Sequence, residues 1–96
     1  MKSEAEINSQ LKEIKPYLLQ KFSVNKIAYF GSYARNTHAE NSDLDILVEL
    51  NKPLGWEFFD LQEYLENTLK LKVDLTTING LKQQLKEAIL KSAKYV

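Results

Sequence analysis

Gly31-Ser32, followed after ten residues by Asp43-Leu44-Asp45-Ile46-Leu47-Val48, is the most distinctive pattern in this chain. The apolar residues 46–48 predict a buried strand. Side chains on a strand alternate between its two faces, so Asp43 and Asp45 point to the same face. Aspartate is uncommon in strands, and neighbouring negative charges repel more strongly as the local dielectric constant falls. The pair therefore predicts a bound divalent cation.

The segment just before this stretch predicts a second buried strand. It covers residues 26–30 and ends abruptly at Gly31. Ser32 is suited to cap a brief helical turn over residues 33–35. A strand, a glycine, a serine and a short helix together make a geometry that holds phosphate.

The N-terminal segment predicts an amphipathic helix. Ser3 and Glu6 form a capping box, and apolar residues follow at spacings of four, three and four. Pro16 lies inside this pattern. Because proline lacks the N–H donor and clashes with the preceding turn, we expect a kink or break near residues 14–15. The apolar residues of the pattern are Ile7, Leu11, Ile14 and Leu18.

The C-terminal half predicts a strand, a helix, a strand and a final helix. The second strand covers residues 44–50, and Pro53 and Gly55 mark the break after it. A leucine-rich stripe then predicts a helix, residues 71–76 alternate as a strand with one wet face, and Asn79-Gly80 precedes the last helix. These elements make an α/β (α+β) domain whose small sheet is covered by helices mainly on one side. The helical stripe is Leu54, Phe58, Leu61, Leu65 and Leu69.

Length and composition predict one soluble domain over residues 1–96. The 13 basic and 13 acidic residues cancel, so no net charge attracts duplex DNA or a membrane surface. The sequence contains no cysteine and no segment typical of a signal peptide or a membrane span. We expect a cytoplasmic protein that neither enters a membrane nor binds duplex DNA directly.

The acidic and glycine residues together predict a site for a nucleoside triphosphate. Gly31 has no Cβ, so a phosphate can approach its backbone, and Ser32 adds a hydroxyl donor. Asp43 and Asp45 supply the oxygen ligands that Mg²⁺ prefers. A third carboxylate would allow a second metal ion to activate the acceptor hydroxyl, and Asp74 is the best candidate.

These residues resemble the minimal nucleotidyltransferases of the polymerase-β-like superfamily. The resemblance extends over residues 27–35, 44–48 and 88–96. It implies a mixed sheet with flanking helices, two Mg²⁺ ions held by Asp43, Asp45 and Asp74, and a triphosphate held by Gly31 and Ser32. One position departs from the family pattern: Asn36 follows the arginine where a glycine is usual. Asparagine tolerates positive φ, so we expect the turn to persist.

Arg35 and Ser42 are further candidates for contact with the nucleotide. Arg35 is suited to contact phosphate, but it is equally suited to pair with a nearby acid such as Glu40.

The resemblance also implies a function. Family members of this size resemble the antitoxin of two-gene systems whose toxin is a helical HEPN ribonuclease. In such pairs the implied reaction moves AMP from ATP to a tyrosine of the toxin, and the chain assembles as a hetero-oligomer or a homo-oligomer. A domain of 96 residues has no room to hold an acceptor by itself. The alternatives are a non-catalytic module that neutralises its partner by occlusion, and nucleotide transfer to a small molecule such as an aminoglycoside.

Four other features favour ordinary structural roles. His38 lies in a polar loop, where an exposed structural role is favoured over a catalytic base. Trp56 and Phe59 flank the stripe of the third helix, where core packing is favoured; if both are exposed, they become the leading partner-contact site. The lysines of the last helix predict a solvated basic surface, and they are Lys82, Lys86, Lys91 and Lys94.

Overall fold

A computed structural model describes residues 2–96. The chain begins with helix α1 (Glu4–Phe22), strand β1 (Val24–Phe30) and the short helix α2 (Gly31–Ala34). Strand β2 (Leu44–Leu50), helix α3 (Glu57–Leu69) and strand β3 (Val73–Thr77) follow. A 3₁₀ turn (Ile78–Gly80), helix α4 (Gln83–Ser92) and the two-residue strand β4 (Lys94–Tyr95) complete the described chain.

The four strands form one mixed sheet in the order β3-β2-β1-β4. β1 pairs antiparallel with β2 and with β4, whereas β2 and β3 run parallel. The predicted small mixed sheet with flanking helices is confirmed. Strand β4 was not predicted, because two residues are too few for an alternating pattern to be visible in a sequence.

The register of the strands shows which residues share each face of the sheet. Directly paired residues share a face. Tyr29, Ile46 and Leu75 lie in one row of paired positions, and all three are buried. α1 and α3 pack on this face and form the core with it. Their fully buried side chains are Ile7, Leu11 and Leu18 from α1 and Leu61, Leu65 and Leu69 from α3.

Helix α1 continues through Pro16 to Phe22, so the predicted break near residues 14–15 is wrong. Pro16 is exposed, which leaves the carbonyl of Lys12 free to bond water. Leu11 and Leu18, on either side of the proline, are fully buried. Burying two leucines contributes about 3 to 6 kcal/mol, which offsets the cost of about 3 kcal/mol for an interior proline. The predicted capping box is present, since the backbone N–H of Glu6 donates to Ser3 Oγ over 3.2 Å.

Three local predictions differ from the structure. Ser32 lies inside α2 rather than capping it, because the helix begins at Gly31 and Phe30 occupies the cap position with no side-chain hydrogen bond. Lys82, which was predicted to lie in the last helix, precedes α4, because that helix begins at Gln83. Lys94 lies beyond that helix in β4, where it pairs with Glu4 of α1.

Core packing was predicted for Trp56 and Phe59, and this prediction is wrong. Their exposed fractions are 82% and 62%. The side of α3 that faces the sheet carries Phe58 and Leu61. Phe59 lies two positions before Leu61, so its side chain points about 200° away from that of Leu61 around the helix. Within residues 2–96, no helix is both long and apolar enough to cross a membrane.

Candidate active site

The candidate site lies at the end of the sheet where β1 ends and where β2 and β3 begin. Because β1 and β2 are antiparallel, the last residue of β1 lies beside the first residues of β2; because β2 and β3 are parallel, both begin at the same end. Phe30 pairs with Asp45, and Asp45 pairs with Asp74. The sequence alone did not single out Phe30, because its place beside Asp45 depends on strand register.

Asp45 and Asp74 therefore project from neighbouring strands on the face opposite the helical core. Asp43 precedes β2 and lies two residues from Asp45, so it belongs to the same face. Asp45 is half-buried, while Asp43 and Asp74 are exposed. The structure thus brings together three of the predicted acids on one side of the sheet.

Gly31 is required at the turn that faces these acids. Its φ is +70°, in the left-handed region that side chains other than glycine rarely adopt. A Cβ at this position would overlap Oδ2 of Asp45 and lie 3.2 Å from its Cγ. The Asp45 carboxylate therefore occupies the space that a side chain at position 31 would fill.

The Asp45 carboxyl has a raised pKa of about 6. Burial is the largest cause, followed by the negative charge of Asp74, a hydrogen bond with Asp74 and the charge of Asp43; Arg35 acts in the opposite direction. Burial and like charge both disfavour the ionised carboxylate. Asp45 consequently keeps its proton to a higher pH than an ordinary aspartate does.

These carboxylates suit a hard divalent cation by their chemistry. Oxygen ligands of this kind are preferred by Mg²⁺, and a cation would remove the repulsion that raises the pKa of Asp45. In the described chain, however, no three histidine, cysteine or acidic side chains already converge as a metal site.

The turn after β1 is built by backbone hydrogen bonds. The N–H of Arg35 donates to the carbonyl of Gly31 over 3.1 Å, and the N–H of Thr37 donates to the carbonyl of Ser32 over 2.9 Å. Ser32 is half-buried at this turn. Asn36 adopts φ of 57°, which is the positive value expected at the position where the family usually has glycine.

Arg35 is exposed and does not pair with Glu40. The ion pairs within residues 2–96 join Lys26 to Glu49 and Lys94 to Glu4. The positive charge of Arg35 instead lowers the pKa of Asp45, whereas burial raises that pKa. The structure thus places Arg35 in the electrostatic environment of the acids.

Ser42 and His38 hold the loop between α2 and β2. The hydroxyl of Ser42 accepts the N–H of Ala39 over 2.8 Å, which closes a tight turn. The His38 ring stacks on Tyr33 at 3.9 Å and its Nε2 lies 2.9 Å from the carbonyl oxygen of Lys2. The structural role predicted for His38 fits these contacts, although the ring is half-buried rather than exposed.

Comparison with known proteins agrees with this geometry. Residues 11–96 match the family model described as a nucleotidyltransferase domain. Over 92 residues the chain is 41% identical to the protein adenylyltransferase MntA of Thermococcus cleftensis, covering 95% of this chain and 93% of the relative.

Solved structures share the fold. One that is described as a minimal nucleotidyltransferase superposes with a TM-score of 0.83 at 26% identity, covering 97% of this chain and 95% of the other. A chain of a toxin-antitoxin complex with AMP-PNP superposes with a TM-score of 0.71 at 26% identity, covering 96% of this chain and 70% of that one. The chain belongs to the nucleotidyltransferase domain family and is a nucleotidyltransferase of the minimal type.

Proposed function

We propose that this protein transfers AMP from ATP to a hydroxyl group of a partner protein, a HEPN-type toxin, and acts as its antitoxin. The acceptor is a tyrosine. In this reaction the hydroxyl oxygen forms a bond to the α-phosphorus of ATP, the bond to the bridging oxygen breaks, and pyrophosphate and a proton leave.

The observation that carries this proposal is the placement of Asp45. It is half-buried against Gly31, in register with Asp74, with its pKa raised to about 6. A half-buried carboxyl whose ionisation is disfavoured lowers stability at neutral pH, and perturbed groups of this kind are concentrated at functional sites. A merely structural strand edge would not require this arrangement.

Each candidate residue has a role in the proposal. Asp43, Asp45 and Asp74 would hold Mg²⁺, which supplies charge neutralisation at the phosphates and a lower pKa for the attacking hydroxyl. The turn at Gly31 leaves room for phosphate against the backbone, and Ser32 donates a hydrogen bond to it. Arg35 adds positive charge near the triphosphate. Ser42 contributes by fixing the loop that leads into Asp43.

The partner is inferred from relatives and from size. The related MntA is a protein adenylyltransferase, and a structural relative at 26% identity is part of a toxin-antitoxin complex with AMP-PNP. Residues 2–96 form one sheet with an acidic face, and none of these residues builds a second lobe that could hold an acceptor. An acceptor presented by another protein fits both observations.

The test uses ATP labelled at the α-phosphate, Mg²⁺ and the purified partner, with transfer followed by label on the partner. We expect transfer by the wild-type protein and loss of at least about 100-fold in Asp45→Asn, since one charged ligand would be removed. Glu49→Gln is the matched control, because Glu49 lies on the same strand and face but away from the acids. If Asp45→Asn neutralises the toxin as well as wild type does, occlusion rather than catalysis is the mechanism.

A further inference from the structure

Trp56 and Phe59 form an exposed aromatic pair at the start of α3, far from the proposed chemistry. Their ring centroids lie 6.0 Å apart, and the exposed fractions are 82% and 62%. Phe58 packs edge-on against Phe59 at 6.1 Å while it also contacts the core. Contiguous exposed aromatic surface is uncommon on a monomer, and tryptophan is enriched among residues that dominate interface energies. We call these three residues the aromatic patch.

The aromatic patch borders a cavity. Phe58 lines a cavity of about 470 Å³ together with Pro53 and Leu54 from the loop after β2, and Thr77 and Ile78 form its other wall. This volume is sufficient for a large apolar side chain. The patch thus offers an exposed aromatic surface beside a recess, which is a geometry suited to a protruding side chain of another protein.

The helix that carries Phe58 and Phe59 is acidic, whereas Glu49 and Lys52 line the neighbouring cavity. Helix α3 contains no lysine or arginine in Glu57–Leu69, and its acidic residues are Glu57, Asp60, Glu63 and Glu66. Glu63 lies four residues from Phe59, on the same side of the helix. A segment that covers the patch must therefore present basic residues around its apolar side chains.

The patch lies at the opposite end of the sheet from the acids. Asp45 is near the start of β2, and Trp56 follows the end of that strand. The five residue steps from Asp45 to Leu50 span roughly 17 Å along the strand. A protein bound at the patch therefore leaves the face of Asp45 and Asp74 open.

We propose that the aromatic patch is the docking site for the protein that accepts the nucleotide, and that a basic amphipathic segment of that protein occupies it. This inference rests on the proposed function for the identity of the partner. A symmetric contact between two copies of this chain is disfavoured, because it would place the acids of α3 against one another. A contact of the patch with α4 of another copy has suitable charges, but such a head-to-tail contact closes only as a ring or continues as a filament.

The experiment measures binding and transfer separately with the purified HEPN-type partner. The double variant Trp56→Ala/Phe59→Ala is expected to bind the partner at least about 30-fold more weakly. Glu63→Lys is expected to weaken binding as well, and wild-type affinity is expected to fall as salt rises. In transfer assays the loss should appear in KM for the partner rather than in kcat. Leu85→Ala is the matched control, because Leu85 is 53% exposed on α4, outside the patch.

The outcomes separate this proposal from the proposed function. Asp45→Asn should retain partner affinity while it loses transfer. If the double variant binds the partner as wild type does, the docking site is wrong even where transfer is observed. If wild type binds through the patch but transfers no AMP, docking stands and the proposed reaction falls. If light scattering shows that wild type alone self-associates and the double variant does not, the occupant is a second copy and the proposal is overturned.

Discussion

The carboxylate of Asp45 lies directly against the α-carbon of Gly31, so that no side chain fits at position 31. This contact joins the turn at Gly31, after β1, to the Asp45 side chain of β2. It explains why a glycine and an aspartate fourteen positions apart in the sequence act as one structural unit. It also makes the geometry of the site sensitive to single-atom changes at residue 31.

Gly31→Ala is expected to lower the free energy of unfolding by about 1 to 3 kcal/mol, because alanine is strained at φ of +70° and its Cβ displaces the Asp45 carboxylate. Nucleotide transfer should be lost together with the displacement. Gly55→Ala is the matched control: a Cβ there meets nothing within 4 Å, so stability should change by less than about 1 kcal/mol. Urea denaturation measures both changes, and equal effects would contradict the prediction.

Asp45→Asn is expected to stabilise the protein at neutral pH and not at pH 4. The pKa of Asp45 is about 6 in the folded state and 3.8 in an unperturbed carboxyl, so ionisation costs folding energy that is absent below pH 4 and complete above about pH 6. Removing that cost should contribute about 1 to 2 kcal/mol at pH 7, after solvent screening reduces the full value of the pKa shift. Denaturation at the two pH values tests this. Glu40→Gln, in an exposed loop, controls for general charge effects, and an equal gain at both pH values would refute the assignment.

Mg²⁺ is expected to raise the melting temperature at pH 7 more than at pH 5. The cation competes with the proton for Asp45, whose pKa is about 6, so metal affinity should rise with pH through this range and then level off. Differential scanning calorimetry with and without Mg²⁺ measures the effect. In Asp45→Asn the Mg²⁺-dependent increase should largely disappear; an undiminished increase would place the metal elsewhere.

Pro16→Ala is expected to stabilise the protein by about 1 to 3 kcal/mol. Alanine restores the backbone donor to α1, and the position is exposed, so no packing is lost. Gln20→Ala is the control at another exposed position of the same helix, where the change in helix propensity is small. Thermal unfolding followed by circular dichroism compares the two variants, and a destabilised Pro16→Ala would show that the proline shapes α1 in a required way.

Tyr29→Phe is expected to lower the free energy of unfolding by about 1 to 2 kcal/mol at pH 7. The buried hydroxyl donates to Glu4 Oε2 over 2.9 Å, where Lys94 also binds, so three segments meet at this carboxylate. These partners lower the pKa of Glu4 below its usual value, with Lys94 the largest cause. The stabilisation is present above pH 4.5 and is lost as pH falls, so the effect of Tyr29→Phe should shrink toward pH 3. Denaturation across this range tests it, with Tyr95→Phe, half-exposed on β4, as control.

The apolar run at residues 46–48 and the leucine spacing of α3 were sufficient to predict the central strand and its covering helix. The apolar run reflects burial of β2 on both faces, and the leucine spacing reflects burial of one side of α3; both are visible in a sequence. The capping box of α1 was equally predictable, because its partners lie three residues apart. Strand β4 and the continuity of α1 through Pro16 were not, since both depend on what the rest of the molecule packs against them.

The sequence was sufficient to name the candidate site residues and to place Asp43 and Asp45 on one face, because strand alternation is a local property of the backbone. Only the tertiary structure decided that Asp74 is in register with Asp45, that the Asp45 carboxylate fills the space beside Gly31, and that Trp56 and Phe59 stay exposed. Register, close contact and exposure arise between segments distant in the chain. All three depend on how the helices and strands pack around one core, and this packing cannot be read from any local sequence pattern.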